Sequence, residues 1–103
     1  MDAGEPNIAV IRVPIVRTPD TCGGKPRIAG TRIQVKDVAL MHERMGMTPA
    51  QIVADYPHLT LADVHAALAF YHDHRAQIDA EIESDRRWSE EMRAKAPSPV
   101  RER

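Results

Sequence analysis

This sequence is short of three things, and each shortage removes a class of protein. It has one cysteine, Cys22, which excludes an intramolecular disulfide framework and a cysteine-based zinc finger. It has four aromatic residues in 103, Tyr56, Phe70, Tyr71 and Trp88, so the core of a single copy is expected to be thin and dimerisation would bury more of it. No apolar stretch approaches the ~18–20 residues that span a bilayer. The first six residues also lack the basic flank and apolar run of a signal peptide, so a small cytoplasmic protein of one domain is expected.

Net charge is scarce too, at −1, but it is unevenly laid out. Between Arg12 and Lys36, six basic residues stand against Asp20 alone, a balance of +5. From Asp37 to Glu83, eight acids against Arg44 and Arg75 give −6, and the last twenty residues return to +2. A polyanion would therefore meet the first third or the tail, since counterion release needs clustered Lys and Arg. The alternative is a solvated surface of mixed charge.

Extended signals come first. Ile8 to Val16 is rich in β-branched residues and reads as a strand, with Pro14 confining it to an edge or a break. After a turn-rich segment, Arg27-Ile28 and Thr31–Val35 flank Ala29-Gly30 in a hairpin-like pattern that must pack on helices or on a second copy.

Helical signals start at Lys36 or Asp37, with Val38, Met41 and Met45 at helical spacing and Gly46 as a left-handed terminator. Thr48-Pro49-Ala50-Gln51 is a capping box with proline at the first helical position, and Thr60 to Asp63 repeats the logic. A longer third helix places Leu61, Val64, Leu68, Tyr71, Ile78 and Ile82 on one stripe interrupted by Arg75, a pattern suited to packing between protomers through Leu68, Tyr71 and Ile78. Trp88 and Met92 form a further apolar pair four residues apart, and the chain beyond Ala96 reads as a frayed tail.

The second and third helices make a helix-turn-helix pattern, which is also how any small helical domain is built. The start of the third helix offers Leu61, Ala62, Asp63, His65 and Ala66, with no Arg, Asn or Gln to read a base edge, so major-groove reading by that helix is not expected.

Catalytic patterns are missing. Gly23-Gly24-Lys25 lacks the frame of a phosphate loop, and Pro26 removes an N–H that such a cradle would use. His65 and His72 are seven residues apart, about 10 Å along a helix, too far to share one ion. Cys22 has no visible base or orienting group. No metal, no cofactor and no enzymatic activity are expected.

Cys22-Gly23-Gly24-Lys25-Pro26-Arg27-Ile28-Ala29-Gly30-Thr31-Arg32-Ile33, followed by Gly46-Met47-Thr48-Pro49, Ile52 and the run Asp55 to Thr60, resembles the signature of the bacterial family catalogued as domain of unknown function 433. The resemblance runs from about Ile8 to Arg75. It implies a mainly α fold, a homeodomain-like helix-turn-helix of three helices preceded by a short N-terminal β element, often dimeric. Many members are thought to be antitoxins of the VapB type, encoded beside a toxin with a PIN-like nuclease fold. On this reading residues 1–7 are an extension, 8–83 one antitoxin-like domain, and 84–103 a charged C-terminal helix and tail.

Two functions follow. In one, the chain neutralises a PIN-like toxin through Trp88 and Met92 and, as a homodimer, represses its own operator through Lys25, Arg27, Arg32 and Lys36 displayed on the ribbon. In the other it is an oligomerising protein-interaction module that never touches DNA. The four basic residues have a structural alternative as well, in which Arg27 and Arg32 pair with acids and position the ribbon.

Overall fold

Local hydrogen bonding decides where each element begins. The computed structural model describes residues 14–95; the extension at 1–7, the first part of the expected strand and the tail from residue 96 lie outside them. Strand β1 (Ile15–Val16) pairs antiparallel with β2 (Arg27–Ile28), Ile15 opposite Ile28 and Val16 opposite Arg27. The connection between them closes through a tight turn at Cys22–Gly24, where Cys22, Gly23 and Gly24 take positive φ of 54°, 62° and 77°. Two glycines in that run spare the Cβ penalty that Cys22 bears.

The ribbon differs from the expected hairpin. Thr31–Val35 is not the partner strand; β1 is. Thr31 Oγ1 donates to the carbonyl of Ile28 and accepts from the N–H of Ile33, closing a turn. Only a single bridge, Arg27 with Gln34, survives from the hairpin pattern. Val35 then enters the first helix, with its N–H still bonded to Pro26 O at 3.0 Å.

Helix α1 (Val35–Ala39) starts beside Gln34, whose N–H donates to the Asp37 carboxylate at 2.9 Å. It continues as a π-helical turn over Leu40–Arg44, with the Met45 N–H reaching five residues back to Leu40 O. Gly46, at φ 72°, ends it, and Met47 N–H closes back on Met41 O at 2.9 Å, one residue wider than the six-residue closure of a left-handed helix terminator, as suits a π turn. Helix α2 (Pro49–Asp55) carries the reciprocal Thr48–Gln51 capping box, and α3 (Leu61–Asp73) that of Thr60 and Asp63. Each such cap stabilises a helix start by about 1 kcal/mol.

The expected long third helix is two helices. His74 leaves helical geometry (φ −128°, ψ 38°), and α4 (Arg75–Lys95) sets off from there. The His74 ring stacks on Phe70 with centroids 4.0 Å apart, and its Nδ1 lies 3.0 Å from Phe70 O, which pins the break without glycine or proline. Ile28, Val35, Val38, Ile52, Val64 and Ile78 are fully buried and draw the ribbon and all four helices onto one core. Each contributes about 1.5–3 kcal/mol by leaving water. The fold is thus mainly helical, with a short antiparallel pair ahead of four helices.

Candidate functional site

The four basic residues expected on the ribbon fall into unequal positions. Arg27 is held within the fold: its guanidinium donates to Thr31 O and to Thr18 Oγ1, both at 2.9 Å, and its Nε is buried with no hydrogen-bond partner. Among the described residues it pairs with no acid; Thr31 O and Thr18 Oγ1 supply the acceptors that an acid would have given. Lys25 and Lys36 meet acids from α4 instead. Lys25 Nζ lies 3.8 Å from Glu81, and Lys36 is bonded to Asp85. Glu81 and Asp85 are four residues apart on one helix, so α4 lays an acidic edge against these two lysines of the positive first third. Arg32 alone of the four projects into solvent, its backbone carbonyl meeting the Cys22 thiol at 3.6 Å. Arg17, close by in sequence to β1, is also exposed, 5.9 Å from the Phe70 ring.

Helices α2 and α3 do form the helix-turn-helix arrangement. The first turn of α3 presents Leu61 and Ala62 to solvent, while Asp63 is buried and engaged in its cap.

Leu68, Tyr71 and Ile78, the stripe expected between protomers, are buried within one chain, Ile78 completely. The reason lies in α4: after the break at His74 it returns Ile78 and Ile82 to the core. Leu61, expected on the same stripe, is exposed. The Tyr71 hydroxyl donates to Asp79 at 2.8 Å, and Arg75 sits 5.1 Å from its ring. Burial and the Asp79 carboxylate push the Tyr71 phenol above its ordinary range.

Trp88 and Met92 lie in a different setting. Every residue of α4 from Ser84 to Lys95 is exposed, Trp88 at 63% and Met92 at 42%. Asp85 meets Lys36 near the start of this stretch, and beyond it the helix is supported chiefly by its own charge pairs. Arg86 bridges Glu83 and Glu90, three residues behind and four ahead, which holds the Glu83 carboxyl below the usual carboxylate range. The distal half of α4 therefore presents an apolar pair one turn apart on a solvent-exposed helix, the pattern of a helix that docks in a partner's groove. Sequence reasoning did not find the groove beside it. Leu40, Met41, Met45, Tyr56, Ile33 and Asp37 line an open cavity of about 250 Å³. The only signal was the apolar spacing of Met41 and Met45, which looks like ordinary core.

Among the described residues no group of three His, Cys, Asp or Glu side chains could hold a metal, and no helix is long and apolar enough to cross a membrane.

Comparison with known proteins agrees with this geometry. The family model described as "Protein of unknown function (DUF433)" matches residues 15–71, which run from β1 to Tyr71 near the end of α3. Among solved structures, a DUF433 member protein from Anabaena variabilis is 36% identical, covers 76% of this chain and 76% of its own, and superposes with a TM-score of 0.64. No curated protein matches. The residues matched by the family model stop short of α4.

Proposed function

The chain belongs to the DUF433 family, and we propose that it is a non-catalytic protein-binding module of antitoxin type that captures its partner with the distal half of α4. The observation that carries this reading is the contrast within that helix: Ile78 and Ile82 are consumed by the core, whereas Trp88 and Met92 are held out on a scaffold that needs no packing of its own. Large apolar side chains on a preformed helix bring binding energy at a low cost in ordering. The partner implied by the family resemblance is a toxin with a PIN-like nuclease fold.

Operator binding is the weaker part of the expectation. Lys25 and Lys36 are balanced by Glu81 and Asp85 and Arg27 is internal, which among the described residues leaves Arg32 and Arg17 as the exposed cations of the ribbon end. Two cations per copy give at most a shallow salt dependence.

The test is co-expression with the protein encoded beside it, followed by capture on a tag. Wild type should retain the neighbour and suppress its toxicity. Trp88→Glu with Met92→Glu should lose both while keeping the circular dichroism of the wild type. Retained capture by that double variant would move the contact off α4.

A further inference from the structure

Cations that lie apart in the first third of the sequence are neighbours in the fold. The Val35 N–H donates to Pro26 O at 3.0 Å, which sets Lys25 and Lys36 side by side, flanking that bond. Arg32 joins them through Cys22: the Lys25 N–H donates to Cys22 O at 3.1 Å, and the Cys22 thiol to Arg32 O at 3.6 Å. Helix α4 sets a carboxylate against two of the three, Glu81 on Lys25 and Asp85 on Lys36.

These two acids do little to hold the fold. Ile78 and Ile82 are buried on either side of Glu81 and already fix this part of α4. Lys25 and Glu81 stand 3.8 Å apart with the lysine 44% exposed, and Asp85 is 58% exposed. Ion pairs so open to water contribute little stability. Their larger effect is on the potential outside: a carboxylate beside each ammonium cancels the field that a polyanion would feel, and repels its charges.

The partner whose chemistry such a cluster fits is the phosphate backbone of a nucleic-acid duplex. Backbone binding needs several Lys or Arg together on a narrow element and asks for no base-reading side chain. The ribbon side supplies the first, and the start of α3, with Leu61 and Ala62 outward, supplies no base reader.

We propose that the acidic edge of α4, Glu81 with Asp85, is an internal substitute for nucleic-acid phosphates that keeps a backbone-binding surface of Lys25, Arg32 and Lys36 closed. Arg27 takes no part, being tied to Thr18 and Thr31. The closure has an inner and an outer half. Glu81 lies between two core residues and stays with the fold, whereas Asp85 belongs to the exposed stretch from Ser84 to Lys95. Displacing that stretch therefore frees Lys36 first. The proposal goes beyond the antitoxin reading and needs no toxin.

The test is fluorescence anisotropy of the full chain against a labelled DNA duplex of arbitrary sequence, over a range of salt. Wild type should bind weakly, with a shallow salt dependence. Glu81→Gln with Asp85→Asn should bind at least about ten-fold tighter at low salt, with a log–log salt slope steeper by about two, one for each lysine released. Adding Lys25→Gln and Lys36→Gln should remove that gain. Asp73→Asn with Glu91→Gln changes net charge equally at exposed acids that meet neither lysine, and should stay within about two-fold of wild type. Three results would overturn the proposal: equal tightening by that control, no tightening by the first variant with its circular dichroism intact, or a gain that survives loss of both lysines. If the first variant does not fold, Lys25→Gln with Lys36→Gln alone decides. It should leave the wild-type salt slope unchanged, and a flatter slope would show that the lysines were open from the start.

Discussion

The two halves of α4 are one continuous helix with opposite reasons to exist. Its proximal half is helical because the core requires it: Ile78 and Ile82 are buried against α1 and α3, and Glu81 at its edge meets Lys25. Its distal half touches the fold through Asp85 on Lys36, is exposed throughout, and carries its own charge pairs from Arg86 to Glu83 and Glu90. Packing fixes a position within a fold, whereas local charge pairing fixes a shape and leaves apolar side chains available. Burial, rather than apolar character, separates the residues that hold this fold from those left exposed on it.

The largest effect that sharpens this comparison is in the core. Ile78→Ala should cost about 2–5 kcal/mol in a denaturant melt, since it leaves a cavity under α4. Trp88→Ala should change the same melt by less than about 0.5 kcal/mol, as for other exposed sites. Equal losses would erase the distinction between the halves. Next, Gly46→Ala should cost about 1–2 kcal/mol, because any Cβ is strained at that φ of 72°. Its effect belongs to the body of the fold and should leave partner capture intact at low temperature. Tyr71→Phe should cost about 1 kcal/mol through the lost bond to Asp79.

The smallest effects are in pH, and the two halves should respond at opposite ends. The Glu83 carboxyl is lowered by Arg86, so the help it gives the distal helix is present above the usual carboxylate range. It fades as pH falls through the lowered value. A small loss of helical circular dichroism in mild acid, before the cooperative transition, is the expected sign. The Tyr71 phenol is raised, so the neutral form favours the folded state and its contribution is present below the usual phenol range. It fades as pH rises through the raised value and should appear as a fall in global stability in strong alkali. A distal helix insensitive to acid would break the account of what holds it.

Several features were legible because they are written locally. Thr48 and Thr60 mark helix starts three residues from the groups they satisfy, and Gly46 ends its helix at a positive φ of 72°, all as expected. The break at His74 was not legible: it depends on the ring of Phe70 and on α4 returning to the core, and no breaker residue announces it. Spacing put Leu68, Tyr71 and Ile78 on one stripe, but spacing alone does not say whether the covering surface is another copy or the chain itself. The basic first third was visible, while its neutralisation by Glu81 and Asp85 was not, since those acids stand 56 and 49 residues from the lysines they meet. The Trp88–Met92 pair was visible, and the groove beside the π turn was not, because the widened turn has no sequence signal that distinguishes it from α-helix.

Amide hydrogen exchange of the full chain, first alone at low concentration and then with the neighbouring protein, tests the central claim most directly. Amides of residues 75–82 should exchange with the slow core in both states. Those of 84–95 should exchange rapidly alone and become protected on binding. Uniform protection along α4 in the free chain, or a distal half that stays unprotected in the complex, would contradict it.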